Sequence, residues 1–261
     1  MPARSPDPRD YQDVPRPVAV LARDIPDAHT TPWHSHKRAQ LVYAASGVMV
    51  VETRASTWVI PPQRAVWVPS RVEHETRTMG LVAMRTIYVT PRVAQHVLRE
   101  CCAINVSPLL RELILRAAQA PLLYDRSGPD GRLMKLIIDE IRVSRMLPLH
   151  LPIPSHPQLA GVCDRILREI HAPATLARLA SDAGMSKRTA ERLFLRETGM
   201  TFSRWRQQAR LLTALTRLAA GQSVKNAAFE AGYSTQSAFT SMFKRTLGTT
   251  PSRYFSEAAQ S

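Results

Sequence analysis

The chain has 261 residues, enough for two domains, and no apolar run near the ~18 residues that a membrane-spanning helix needs. Its formal charge of +14 and pI near 10.6 favour a polyanionic partner, nucleic acid or an acidic membrane surface. Three cysteines, Cys101, Cys102 and Cys163, make no disulfide framework and match no zinc spacing, which suits a reducing cytoplasm.

Residues 1–17 hold five prolines, little to bury and no signal-peptide core, and are expected to be a flexible lead-in. From Val18 to Thr90 the text is short β-type runs broken by turn residues. Leu41 to Ala45 runs into Ser46-Gly47, which reads as a hairpin turn into Val48 to Val51. Thr57 to Ile60, Ala65 to Val68 and Met84 to Val89 follow, separated by Pro61-Pro62, Pro69 and Gly80. Closely spaced strands of this kind predict a small antiparallel barrel or sandwich.

One motif in this region carries chemistry. His34-Ser-His36 is separated from Gln40 by three residues, with Gly47 beyond, and Pro69-Ser-Arg-Val-Glu-His74 comes later. Alternate residues of a strand share a face, so His34 and His36 can point the same way. Neutral imidazoles suit zinc, iron, nickel or copper. The spacing resembles the cupin metal motifs, which implies a divalent transition metal held by His34, His36, Gln40 and His74 inside a barrel. Two departures stand out: Gln40 replaces the usual glutamate, which removes the anionic ligand, and Arg71 occupies a turn position where glycine is usual. An organic effector in the barrel is the alternative occupant, with Tyr43, Trp58 and Trp67 as pocket residues beside Trp33, and a bare scaffold is the third reading.

Residues 91–146 read as helical. Ser107 with Pro108 opens a helix bearing Leu109, Leu110, Leu113, Ile114 and Ala117. Asp130 or Gly131 opens another, bearing Leu133, Leu136, Ile137, Ile138 and Ile141, which needs the barrel or a second copy of the chain to cover it. This helix is the candidate homodimer surface. Residues 147–157 hold four prolines and are read as a linker. The charge divides near there: 20 basic and 14 acidic residues lie before Pro154, and 15 basic with 7 acidic lie from it onward, so the shorter C-terminal part is the more basic.

From residue 158 to 258 a pattern is written twice. Ala180-Ser-Asp-Ala-Gly184-Met-Ser186 is matched by Ala228-Phe-Glu-Ala-Gly232-Tyr-Ser234 about 48 residues on. Phe194 and Gly199 return as Phe243 and Gly248, and Ser203-Arg204-Trp205 returns as Ser252-Arg253-Tyr254. A glycine suits the tight turn of a helix-turn-helix unit, and Ser186 and Ser234 are expected to cap the second helices. In the first unit Ala190, Leu193 and Phe194 face inward, leaving Lys187, Arg188, Glu191 and Arg192 outward. In the second, Ala238, Phe239, Met242 and Phe243 face inward, with Gln236, Ser237, Thr240 and Ser241 outward, and Lys244 and Arg245 placed for the DNA backbone. Arginine pairs with guanine, glutamate accepts from cytosine and lysine meets phosphate, so the charged first unit is expected to read bases more sharply than the second.

Gly232 to Tyr254 is similar to the signature of AraC/XylS-type transcriptional regulators. The resemblance covers about Pro157 to Phe255 and implies a DNA-binding domain of seven helices. It places base contacts at Arg188, Glu191, Arg192, Gln236, Ser237, Thr240 and Ser241. The expected protein is therefore α+β and multidomain: an N-terminal antiparallel, cupin-like β-barrel sensor over 18–90, a helical segment, and an all-α domain with two helix-turn-helix units. It is expected to bind double-stranded DNA in the cytoplasm, to contact RNA polymerase if it activates, and not to be an enzyme. The rival readings are a metal-dependent cupin enzyme, dioxygenase or isomerase, with a helical appendage, and a non-specific nucleic-acid packaging protein.

Overall fold

The computed structural model describes residues 5–144, 146–147 and 150–259. Residues 1–4 of the expected lead-in, residue 145 of the helical segment and residues 148 and 149 of the expected linker lie outside the described residues. The strands are β1 Val18–Ile25, β2 Thr30–His34, β3 Ala39–Tyr43, β4 Val48–Thr53, β5 Ser56–Ile60, β6 Arg64–Val68, β7 His74–Met79, β8 Val82–Val89, β9 Cys102–Asn105, β10 Met146–Leu147 and β11 His150–Pro152. The helices are α1 Pro91–Ala94, α2 Pro108–Ala117, α3 Pro129–Val143, α4 Pro157–Arg168, α5 Leu176–Asp182, α6 Lys187–Thr198, α7 Phe202–Ala219, α8 Val224–Glu230, α9 Gln236–Leu247 and α10 Pro251–Ala259. Contacts divide the chain into residues 1–53 with 60–148, and residues 54–59 with 149–261.

In the first unit one antiparallel sheet runs β1-β8-β3-β6-β9-β10, and β4, β7 and β2 are neighbours in a second. The expected barrel is thus two antiparallel sheets of jelly-roll type, and it is not closed into a continuous ring. Strand alternation sorts the first sheet's residues. Val18, Val20, Leu41, Tyr43, Ala65, Trp67, Ile87 and Val89 form one core cluster with Leu110 and Ile114 of α2 and Met134, Ile137 and Ile141 of α3. Each large aliphatic buried this way contributes about 1.5–3 kcal/mol. The apolar side of α3 is therefore covered by its own sheet. Gln40, Thr86 and Tyr88 belong to the opposite parity, and they join the histidines described below.

Three expectations about the first unit need correcting. Residues 91–146 are not all helical, because Cys102–Asn105 extends the first sheet as β9 beside β6 and Met146–Leu147 follows as β10. Ser46-Gly47 does not join a β3–β4 hairpin, because β3 pairs with β6 and β8 while β4 pairs with β7. The turn instead carries the chain from one sheet to the other, held by Ala45 N–H donating to Ala83 O and Ala83 N–H to Ser46 O. Gly47 has φ +78°, and a Cβ there would lie 2.4 Å from Leu81 O, so glycine is required. The lead-in is not free either, since Pro8–Tyr11 forms a 3₁₀ helix and Tyr11 is fully buried. Buried Arg38 holds the segment by donating to the carbonyls of Gln12, Val14 and Arg16. Proline count suggested disorder, but one aromatic and one arginine reverse that outcome.

In the second unit β5 pairs with β11, with His150 opposite Trp58. The later half of the expected linker is folded onto the helices: buried Trp205 donates its Nε1–H to Pro152 O, and Glu197 accepts from Ser155 and His156. Those donors, led by the Ser155 hydroxyl, hold the Glu197 carboxyl down at about 2. The 18-residue helix α7 is the spine, capped by Thr201. Its Arg206 donates to Ala172 O and Ala174 O before α5, while Arg210 lies 5.7 Å from the centre of the Tyr233 ring after α8. One helix thus anchors both helix-turn-helix units.

Candidate nucleic-acid interface and histidine site

In the first helix-turn-helix unit, α5 ends at Asp182 with Ala183 as its C-cap, and Gly184 takes φ +70°. Ser186 caps α6 by accepting from Thr189 N–H at 3.1 Å. Ala190, Leu193 and Phe194 are buried, and Lys187, Arg188, Glu191 and Arg192 are exposed. Lys187 and Glu191 form an ion pair at 3.6 Å along the helix.

The second unit repeats this layout with one change. Gly232 has φ +82°, but α9 is capped by Thr235, which accepts from Ala238 N–H at 3.2 Å, and not by Ser234. One extra residue sits between turn and cap, so the repeat spacing grows from 48 at Gly184 and Gly232 to 49 at Phe194 and Phe243. Phe239, Met242 and Phe243 are buried, while Ala238, expected inside, is exposed. The shift also makes Ser237, not Gln236, the positional counterpart of Arg188. Gln236, Ser237, Ser241, Lys244 and Arg245 are exposed and Thr240 is half-buried.

The sequence-predicted histidines come together between the two sheets of the first unit. Nitrogens of His34, His36 and His74 lie within 4.8 Å of one another. His34 ends β2 opposite His74 of β7, whereas His36 lies beyond the strand, so strand alternation is not what aligns the pair. Arg71 takes φ +65° and donates its N–H to His36 O at 2.8 Å, which pins the turn leading to His74 onto the His36 segment. A left-handed arginine costs ~1–2 kcal/mol, and the site accepts that strain.

Hydrogen bonds fix which atoms face inward. Leu41 O can only accept, so the Thr86 hydroxyl donates to it and accepts from Gln40 Nε2 at 2.9 Å. That turns Gln40 Oε1 toward His74 Nε2 at 3.1 Å. Val72 O, 3.0 Å from His74 Nδ1, takes the proton of that ring and leaves Nε2 with a lone pair. Two acceptors therefore face one another. Pro32 O, 2.7 Å from His34 Nδ1, orients His34 in the same manner, and His36 Nε2 is buried without a hydrogen-bond partner. Burial pushes His36 down to about 3, helped by the two neighbouring rings, and His74 down to about 4, so both are neutral at pH 7. A set of converging lone pairs fits a divalent transition metal.

The three aromatic pocket residues do not share a cavity. Tyr43 and Trp67 are buried in the core between sheet and helices, with Trp67 Nε1–H donated to Leu98 O. Trp58 belongs to the second unit, where it stacks on His150. Trp33 is 38% exposed on β2. Sequence reading overlooked Thr86 and Tyr88, whose polar groups on an otherwise apolar strand were the available signal. Buried Tyr88 sits 5.1 Å from the His36 ring and 3.5 Å from Gln40 Nε2.

Comparison with known proteins bears on both parts. Residues 179–257 match the helix-turn-helix domain family, and residues 17–202 match the AraC-like ligand binding domain family. The HTH-type transcriptional regulator NimR of Escherichia coli K12 is 34% identical over 237 residues, 91% of this chain and 86% of its own. RipA of Corynebacterium diphtheriae, also an HTH-type transcriptional regulator, is 37% identical over 106 residues, 40% of this chain and 32% of its own. The solved DNA-binding domain of AdpA in complex with a target DNA is 32% identical, covers 38% of this chain and 91% of that chain, and superposes with a TM-score of 0.36.

Proposed function

This chain belongs to the AraC family of helix-turn-helix transcriptional regulators, and we propose that a transition metal at its three-histidine site governs how it reads an asymmetric operator. DNA binding and a ligand-binding domain come with the family. The residue roles and the metal are our reading. We assign the sensor to residues 18–90, the helical segment to 91–146, the linker to 147–157 and the DNA-binding domain to 158–258. Arg188, Glu191 and Arg192 of α6 and Gln236, Ser237, Thr240 and Ser241 of α9 would face bases, with Lys187, Lys244 and Arg245 on phosphates. The 18 residues of α7 extend roughly 27 Å at ~1.5 Å each, close to the ~34 Å of one DNA turn, which supports placing both recognition helices in successive major grooves.

The regulatory half rests on one observation: Gln40 Oε1 lies 3.1 Å from His74 Nε2 while Val72 O lies 3.0 Å from Nδ1, so with the ring proton on Nδ1 the two atoms meet as acceptors. A cation between them removes the conflict. Gln40, His34, His36 and His74 would hold it. The bound metal would supply positive charge that ties β2, β3 and β7 together. DNase footprinting upstream of this gene and its neighbours, with and without Zn(II), Ni(II), Cu(II) or Fe(II), tests the proposal. One of these metals should shift operator affinity by roughly tenfold, and His36→Ala should lose that shift while still footprinting. A metal response unchanged by His36→Ala, or a purified protein that binds none of the four metals, refutes metal control. The absence of any protected site refutes operator recognition.

Two partners complete the proposal. Leu136 and Val143 are exposed on α3, which supports a second copy of the chain there, and sedimentation velocity of the full chain measures it. RNA polymerase is the partner if transcription from the operator rises with the protein, as run-off transcription would report.

A further inference from the structure

The first unit has a second concavity, separate from the histidines. Pro17, Val18 at the start of β1, Val93 of α1, Tyr124, Arg126 and Ser127, and one stripe of α3 line a groove of about 630 Å³. That volume falls within the ~300–1,000 Å³ of small-molecule sites. The stripe is Gly131, Met134, Lys135, Ile138 and Asp139, the spacing that puts residues on one helix face. Val18, Tyr124, Met134 and Ile138 form an apolar floor. Gly131 explains why the Arg126 segment reaches the groove. A Cβ at Gly131 would lie 2.2 Å from Arg126 O, so only glycine lets that loop cross α3 so closely.

The charge around this floor is lopsided. Arg126 and Lys135 line the groove, and among the described residues neither side chain enters a hydrogen bond or an ion pair. The acid of the lining, Asp139, is engaged by Arg142 at 3.4 Å, and neighbouring Asp125 accepts from the Ser127 N–H and hydroxyl. Burial pushes the Tyr124 hydroxyl up, against the opposing pull of the Val18 backbone and of Arg16, Arg126 and Arg38. Two unmatched cations over an apolar surface select an apolar body that carries a negative charge. A cationic ligand would meet the same two charges with repulsion, and a neutral one would leave them unused.

We infer that this groove is a binding site for a small organic acid, an apolar body with one carboxylate set between Arg126 and Lys135. The site uses none of the four proposed metal donors, so it stands or falls apart from metal control. Isothermal titration of the full chain with 2-naphthoate and with the matched neutral 2-naphthamide tests it. Naphthoate should bind at one site and naphthamide at least roughly tenfold more weakly, the loss expected for a charge-assisted contact. Lys135→Glu and Arg126→Glu alter exposed side chains, and each should weaken naphthoate by roughly ten- to a hundredfold. Lys225→Glu makes the same charge change on α8 and should leave binding as it is. Melting temperatures of the variants confirm that they fold. Equal binding of acid and amide overturns the inference. So does naphthoate binding that survives both charge reversals, or no binding of naphthoate to the unaltered chain.

Discussion

The two helix-turn-helix units share a plan and differ in how tightly their turns are built in. Gly184 and Gly232 both adopt a left-handed backbone, at φ +70° and φ +82°. Around Gly184 a Cβ would meet only the flexible end of Gln158, at 3.6 Å. Around Gly232 it would meet Ile170 O at 2.8 Å and the Arg210 guanidinium at 2.9 Å. The first turn is exposed and loosely surrounded, while the second is wedged between the end of α4 and the spine helix α7. The same sequence letter therefore answers two demands: conformation alone in the first unit, conformation and space in the second.

Alanine at each turn separates those demands, and this contrast carries the largest expected effect. Gly184→Ala should cost about 1–2 kcal/mol, the penalty of a left-handed alanine. Gly232→Ala adds a clash with a backbone carbonyl, which cannot rotate aside, and should cost about 3 kcal/mol or more. Urea denaturation of the two full-length variants measures the gap. Equal losses would mean that the Ile170 carbonyl yields easily and that the second turn is no more confined than the first.

The next effect concerns what each unit offers to DNA. Position for position Arg188 corresponds to Ser237, a long cation against a short hydroxyl. An arginine paired with a base edge is worth ~1–3 kcal/mol of discrimination, and a serine contact is less selective. Arg188→Ala should therefore flatten the preference at one operator base by about 1–3 kcal/mol. Ser237→Ala should change it by less than half as much. Binding isotherms on single-base operator variants decide between them, and a larger loss from Ser237→Ala would reverse the proposed division of labour.

Much of this was legible in the sequence because it depends on local chemistry. The repeat, the turn glycines, the caps at Ser107 and Ser186 and the buried face of α6 follow from side-chain size and hydrogen bonding over a few residues. The cap of α9 was missed because Ser234 and Thr235 are adjacent and chemically alike. Only the fold shows that one residue has been inserted. The first unit was harder for a different reason. Tyr43 and Trp67 look like pocket residues in a string of letters, but their parity along β3 and β6 points them at α2 and α3. The groove beside α3 joins residues over a hundred positions apart, from Val18 to Asp139, and two cations without partners leave no mark in sequence.

The smallest expected effect concerns Glu191, which has no acidic counterpart in the second unit, where Thr240 takes its place. Glu191 lies 3.6 Å from Lys187, and both side chains are more than half exposed. An exposed pair of this spacing contributes at most about 0.5 kcal/mol, so Glu191→Gln should leave stability nearly unchanged. Its effect should appear on DNA instead. The carboxylate holds Lys187 along the helix and, in the proposed DNA complex, would repel nearby phosphates. Removing it frees one cation for the backbone, and the salt dependence of binding should steepen by roughly one phosphate contact. If Glu191 also accepts from a cytosine, the variant should bind unrelated DNA more tightly while losing preference at one base. A salt dependence that does not change would place Lys187 and Glu191 away from the DNA and leave the first unit's selectivity to Arg188 and Arg192.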